Sequence, residues 1–201
     1  AVVAVRMGFS EAQAGRSVVG LHRMLDDDRP APSASDRRIA ALALSAGVVE
    51  DGRWNDERRV RGAIEQFMAA GEPEDVAEAL RIADAWFAAR PGPASSAVRA
   101  SVLQVVANAS VESEADQRAL AAIDDAIEFD PRDPIWRVVR AERLVDLDRC
   151  EEAMLAVASS RTLDAQRELD PLVRLGPIEL ERLDALELEC RDGASGSVKV
   201  D

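Results

Sequence analysis

The chain has 201 residues, 47% of them hydrophobic but only 3% aromatic, with no tyrosine. It is long enough for one domain or one short repeat array, and a core of Ala, Val, Leu and Ile suits close helix–helix packing better than a β-sandwich. The net charge of −13 is uneven: residues 1–61 hold 10 Arg against 9 acids (+1), and residues 62–201 hold 15 Lys+Arg against 29 acids (−14), which argues against a nucleic-acid backbone as partner, since phosphate binding needs clustered cations.

In chain order, Ser10-x-x-Gln13 forms a capping box with Phe9 ahead of it, and opens a predicted helix over 10–26. Asp26–Ser33 is a long polar connection containing Pro30 and Pro32. A second helix, 35–50, holds the charge-free run Ile39–Val49 and completes an N-terminal hairpin within residues 1–52. Further helices are predicted over 55–70, 73–90, 94–109, 113–129, 133–147, 149–168 and 177–191. All nine prolines fall at the boundaries between these helices, where the missing N–H and the ring clash of proline do no harm. Asp133-Pro134 and Gly176-Pro177 are helix starts, and Asp148-x-x-Glu151 is a looser capping box. Residues 192–201, with Gly193, Ser195, Gly196 and Ser197, read as a flexible tail. The longest charge-free runs, Ile39–Val49 and Ala100–Val111, have 11 and 12 residues, short of the roughly 18 that a membrane span needs. The chain opens on Ala1, which reads as a fragment or a processed chain.

Pro91, Pro131 and Pro171 recur at intervals of 40, as do Asp84, Asp124 and Asp164. A fixed period of this size is the mark of stacked helical hairpins, none of which can bury its apolar face alone. Residues 71–110, 111–150 and 151–190 align as units, and Ala79-Leu80 matches Ala119-Leu120. The run Ala119-x-x-x-Ile123-x-x-Ala126-x-x-x-x-Pro131, followed by Pro134-Ile135-Trp136, resembles the tetratricopeptide repeat family. Ala153-x-x-x-Val157-x-x-Ser160 repeats part of it 34 residues on, the family's usual period. The family's first-helix glycine and tyrosine are missing, and the proline period of 40 also suits HEAT or armadillo repeats, the alternative. The resemblance implies an all-α fold. It would be a right-handed α-solenoid of about four helix-turn-helix repeats over 53–191, capped by helix 177–191, with Glu179, Glu181, Arg182, Glu187 and Glu189 outward and Ile178, Leu180, Leu183, Leu186 and Leu188 toward the buried side.

The residues offer little for catalysis. His22 is the only histidine, which removes paired-His metal sites by count and leaves a Ser-His-Asp arrangement formally open, without a nucleophile motif beside it. No phosphate-cradling glycine pattern occurs, and the acidic clusters Asp26–Asp28, Asp124-Asp125 and Glu179–Glu189 lack calcium-loop spacing. No catalytic residue, cofactor or metal is therefore expected. Arg53–Arg61 is the densest cationic stretch and reads as a helix start laced with local pairs. Trp54, Trp86 and Trp136 sit near helix ends, as packing anchors. Cys150 and Cys190 occupy nearly equivalent points of successive units, so stacking would hold them too far apart to bond.

The expected function is non-enzymatic: a protein–protein interaction scaffold that holds a peptide or helix of a partner in a concave groove. In tetratricopeptide-like stacks the first helix of each hairpin lines that groove, which implies Arg58, Arg61, Gln104, Asn108, Arg137 and Arg140 as partner-binding residues. Four arginines among them favour an acidic or carboxylate-bearing segment, although neutralising neighbouring acids explains them as well. The alternative is an architectural or regulatory domain of a larger polypeptide that docks in cis or self-associates. The cytoplasm is favoured over export.

Overall fold

The computed structural model describes residues 31–49, 52, 54–110, 112–166 and 174–196. Among them there are eight α-helices and no strand: α1 (Ala34–Val49), α2 (Glu57–Ala70), α3 (Pro73–Ala89), α4 (Pro93–Ala109), α5 (Ser113–Phe129), α6 (Ile135–Asp146), α7 (Cys150–Ala165) and α8 (Pro177–Gly196). These match the predicted helices in order and closely in extent. The predicted helix 10–26, with His22, lies outside the described residues, as does Pro171.

Local chemistry sets most boundaries. Asp56 caps α2, its carboxylate accepting the Arg59 N–H at 3.2 Å. Gly71 ends that helix in the left-handed region (φ 80°), which glycine enters without a Cβ penalty, and returns its N–H to the Phe67 carbonyl. Proline occupies the first position of α3 and α4. The Asp133 carboxylate accepts the Ile135 N–H at 3.0 Å where α6 begins. The expected cap at Asp148 is not formed: Asp148 takes φ 57° to turn the chain between α6 and α7, and Arg149 stands at the N-cap. The predicted tail is also corrected in part, because α8 continues through Gly193 to Gly196.

Each helix packs against the next in sequence. Side-chain contacts also join alternate helices: ion pairs from Arg38 of α1 to Asp75 of α3 and from Glu142 of α6 to Arg182 of α8, a hydrogen bond from Arg143 of α6 to Asn108 of α4, and an edge-to-face ring contact between Phe87 of α3 and Phe129 of α5. The core is correspondingly divided into three clusters that follow one another along the chain. Trp86 belongs to the first and Trp136 to the second, both buried, and Trp54 packs against the first, so the tryptophans do anchor helix contacts.

The repeated residues pack as equivalents. Ala79, Ala83 and Trp86 on α3, Ala119, Ile123 and Ala126 on α5, and Ala153, Val157 and Ser160 on α7 share one spacing and are all buried. That spacing is one stripe of a helix, and its small members let neighbouring helices approach closely. Ser160 uses the approach to donate to the Pro134 carbonyl at 2.9 Å.

Two expectations fail at the C-terminal end. Cys150 and Cys190 form a disulfide, with Cα atoms 5.3 Å apart. Between α5 and α7 the buried stripe advances by 34 residues (Ala119 to Ala153), not 40, so the cysteines are not equivalent points of a stack. Cys150 is the first residue of α7, and α8 returns alongside that helix to place Cys190 opposite. The faces of α8 also differ from expectation. Glu179, Leu183, Leu186 and Cys190 form its buried stripe, while Ile178 and Leu188 are exposed. Apolar residues and Glu alternate with period 2 over 178–181 and again over 186–189, and a helix of 3.6 residues per turn cannot gather all of that apolar set on one side.

Candidate functional site

The six residues expected to meet a partner sit in pairs on α2, α4 and α6. Arg58 and Arg61 are exposed on α2, where Arg61 reaches Glu57 one turn earlier at 3.0 Å. Gln104 is half-buried on α4, and Asn108, near the end of that helix, is exposed. The Asn108 side-chain oxygen accepts from Arg143 Nη2 at 2.6 Å. Arg137 and Arg140 are half-buried on α6. Arg137 donates to Ser159 Oγ of α7 (2.9 Å) and to the Asp133 carbonyl (3.3 Å), and burial lowers its pKa against the opposing charges of Asp133 and Asp130. Arg140 donates to Asp124 Oδ1 of α5 at 2.8 Å.

Arg143 was not expected from the sequence. It is 4% exposed, and its guanidinium holds Asp116 of α5 (2.7 Å), Asn108 of α4 (2.6 Å) and Asp146 (3.2 Å), with Nε left without a hydrogen-bond partner. One side chain thus ties three consecutive helices beside the predicted Asn108. A signal existed: Arg143 follows Trp136 by seven residues and Val139 by four, which is the buried stripe of α6.

The forty-residue aspartate series has a shared role. Asp84 Oδ1 accepts Arg99 Nε (2.7 Å), Asp124 Oδ1 accepts Arg140 Nε (2.8 Å), and Asp164 accepts Arg174 Nη2 (3.1 Å) and the Leu175 N–H (2.7 Å). Each joins the latter part of one helix to the helix or connection that follows. Arg99 also reaches Asp125 at 2.9 Å and lies over the Phe87 ring, 5.1 Å from its centroid.

An open depression of about 350 Å³ is lined by Ala34, Ser35, Arg38, Glu72 and Glu74. Its arginine is held by both oxygens of buried Asp75, at 2.6 and 2.8 Å. Among the described residues, no group of three or more His, Cys, Asp or Glu could hold a metal ion, and no helix is long and apolar enough to cross a membrane. Comparison with known proteins returns no match to a family model, a curated protein or a solved structure.

Proposed function

We propose that this chain is a non-enzymatic protein–protein interaction scaffold of tetratricopeptide-like kind: a right-handed superhelical stack whose α2, α4 and α6 line a groove for a peptide or helix of a partner. The observation that carries this reading is the chain of contacts through alternate helices. α2 touches α4, α4 reaches α6 through Asn108 and Arg143, and α6 reaches α8 through Glu142 and Arg182. Such contacts are what a quasi-one-dimensional array produces, and an array's use is its extended surface. The preferred ligand carries carboxylates, which Arg58 and Arg61 are exposed to meet.

The test places a photo-crosslinking residue at Gln104 on α4 or at Leu155, which is 72% exposed on α7, in the native host. Adducts to one protein from position 104 and none from 155 support the groove; the reverse pattern moves the site to the other layer. Arg58→Ala with Arg61→Ala should then weaken that partner's binding while helix content stays constant. The exposed Ile178 (65%) and Leu188 (60%) of α8 favour the second reading, self-association or docking within a larger polypeptide. A mass by light scattering that rises with concentration, and falls again in Ile178→Glu with Leu188→Glu, would favour it over the scaffold.

A further inference from the structure

α8 packs on α6 and α7 and buries a stripe at i, i+4, i+7 and i+11: Glu179, Leu183, Leu186 and Cys190. A second stripe faces away from it. Ile178, Glu181, Ala185, Leu188 and Asp192 recur at i, i+3, i+7, i+10 and i+14, and all five are exposed. This stripe mixes apolar and acidic side chains and holds no cation. Neighbouring charges are already engaged: Asp184 and Glu187 take Arg161 of α7, and Arg182 turns to Glu142 of α6. Glu181, Asp192 and the flanking Glu189, by contrast, make no ion pair among the described residues.

We propose that this outer stripe of α8 docks a basic amphipathic helix of another protein. Leu or Ile of that helix would meet Ile178, Ala185 and Leu188, and its Arg or Lys would meet Glu181, Glu189 and Asp192. The proposal develops the docking side of the second reading above and does not depend on the groove of α2, α4 and α6. Ile178 and Leu188 stand about 15 Å apart along the axis, a spacing that one amphipathic helix spans with successive anchors. The acids around them steer a cationic partner and reject an acidic one. A second copy fits poorly. Two α8 helices laid antiparallel about Ala185 set Ile178 against Asp192 and Leu188 against Glu181, so apolar side chains meet carboxylates and no carboxylate meets a cation. Laid parallel, each acid faces its own copy.

The test uses two synthetic peptides of about 18 residues, long enough to cover the stripe. One carries Leu and Arg along a single helix stripe in an alanine host; the other has the same composition in scrambled order. Binding to the full chain is read by fluorescence anisotropy at about 0.15 M salt, where distant charges are screened. The amphipathic peptide should bind at least about tenfold more tightly than its isomer. Ile178→Ser with Leu188→Ser, and separately Glu181→Gln with Asp192→Asn, should each weaken it about tenfold. All four side chains are exposed, so these variants keep the buried contacts of α8. Arg58→Ala with Arg61→Ala should leave the binding unchanged; weakening there would put the peptide in the groove and overturn the proposal. Equal binding of the two peptides, no binding of either, or unchanged binding in the α8 variants also overturns it. A mass that rises with concentration in the parent but not in Ile178→Ser with Leu188→Ser gives the stripe to a second copy instead.

Discussion

Asp84, Asp124 and Asp164 each accept from an arginine further along the chain, but they do not share one environment. Asp164 is buried. Burial, the largest influence, would raise its pKa; the hydrogen bonds from Arg174 and the Leu175 N–H, with the Arg174 charge, outweigh it and hold the carboxyl below the ordinary 3.8. A lowered folded pKa means stability that is present above the unfolded value and lost as pH falls through the folded one. Asp164→Asn should therefore be less stable than the parent at neutral pH, with the gap closing below about pH 4; a gap in urea midpoint that stays constant down to pH 2 would contradict this. Glu142 has the opposite sign. Burial raises its carboxyl above the ordinary 4.5 despite Arg182, so its contribution is present below that value and lost as pH rises through the raised one. The urea midpoint of Glu142→Gln, relative to the parent, should climb as pH rises from about 4.5. Burial also ranks the arginines. Arg143→Ala leaves Asp116 without its buried partner and should destabilise by about 3 kcal/mol, whereas loss of the exposed Arg61–Glu57 pair should change stability by less than about 0.5 kcal/mol.

Among the elements, boundaries were legible wherever the deciding chemistry is local. Proline placement located the starts of α3, α4, α6 and α8, and the spacing of Ala119, Ile123 and Ala126 named a buried stripe that recurs on α3 and α7. What depends on rotation about a helix axis or on register between units was not legible. The alternating Leu and Glu of α8 do not specify a face, and packing chose the one that contains Glu179 and Cys190. Both the 40-residue period of the turns and the 34-residue step of the packing stripe stand in the sequence; placing the cysteines by the first rather than the second made them look equivalent and unable to meet. With a sequence separation of 40, the closed loop should contribute about 4 kcal/mol in the chain-entropy account. Cys190→Ala should lose about that much, and the unreduced, unfolded parent should show no free thiol; two titratable thiols would restore the original expectation.

At the scale of the molecule, three core clusters follow one another among the described residues, where a compact domain would share one. If the proposed stack is right, solution scattering should give a radius of gyration above ~16–17 Å, the value for a compact chain of 201 residues; a value at or below it would remove that proposal. For the candidate site, only the helices were legible: the six residues fall on α2, α4 and α6, as the helix order read from the sequence has it. Their engagements were hidden: Asn108 with Arg143, Arg140 with Asp124 and Arg137 with Ser159 are bonds between helices, set by how the layers meet. The Cys150–Cys190 bond, finally, sets a load path. When the chain is pulled from its two ends, tension crosses from Cys150 to Cys190 through sulfur, and residues 151–189 bear none of it. Stretched fully, the oxidised chain should be shorter than the reduced one by about 125–140 Å, the reach of the shielded segment at roughly 3.3–3.6 Å per residue. Single-molecule force measurements with and without reductant read that hidden length directly, and equal contour lengths would mean that the shortcut does not exist.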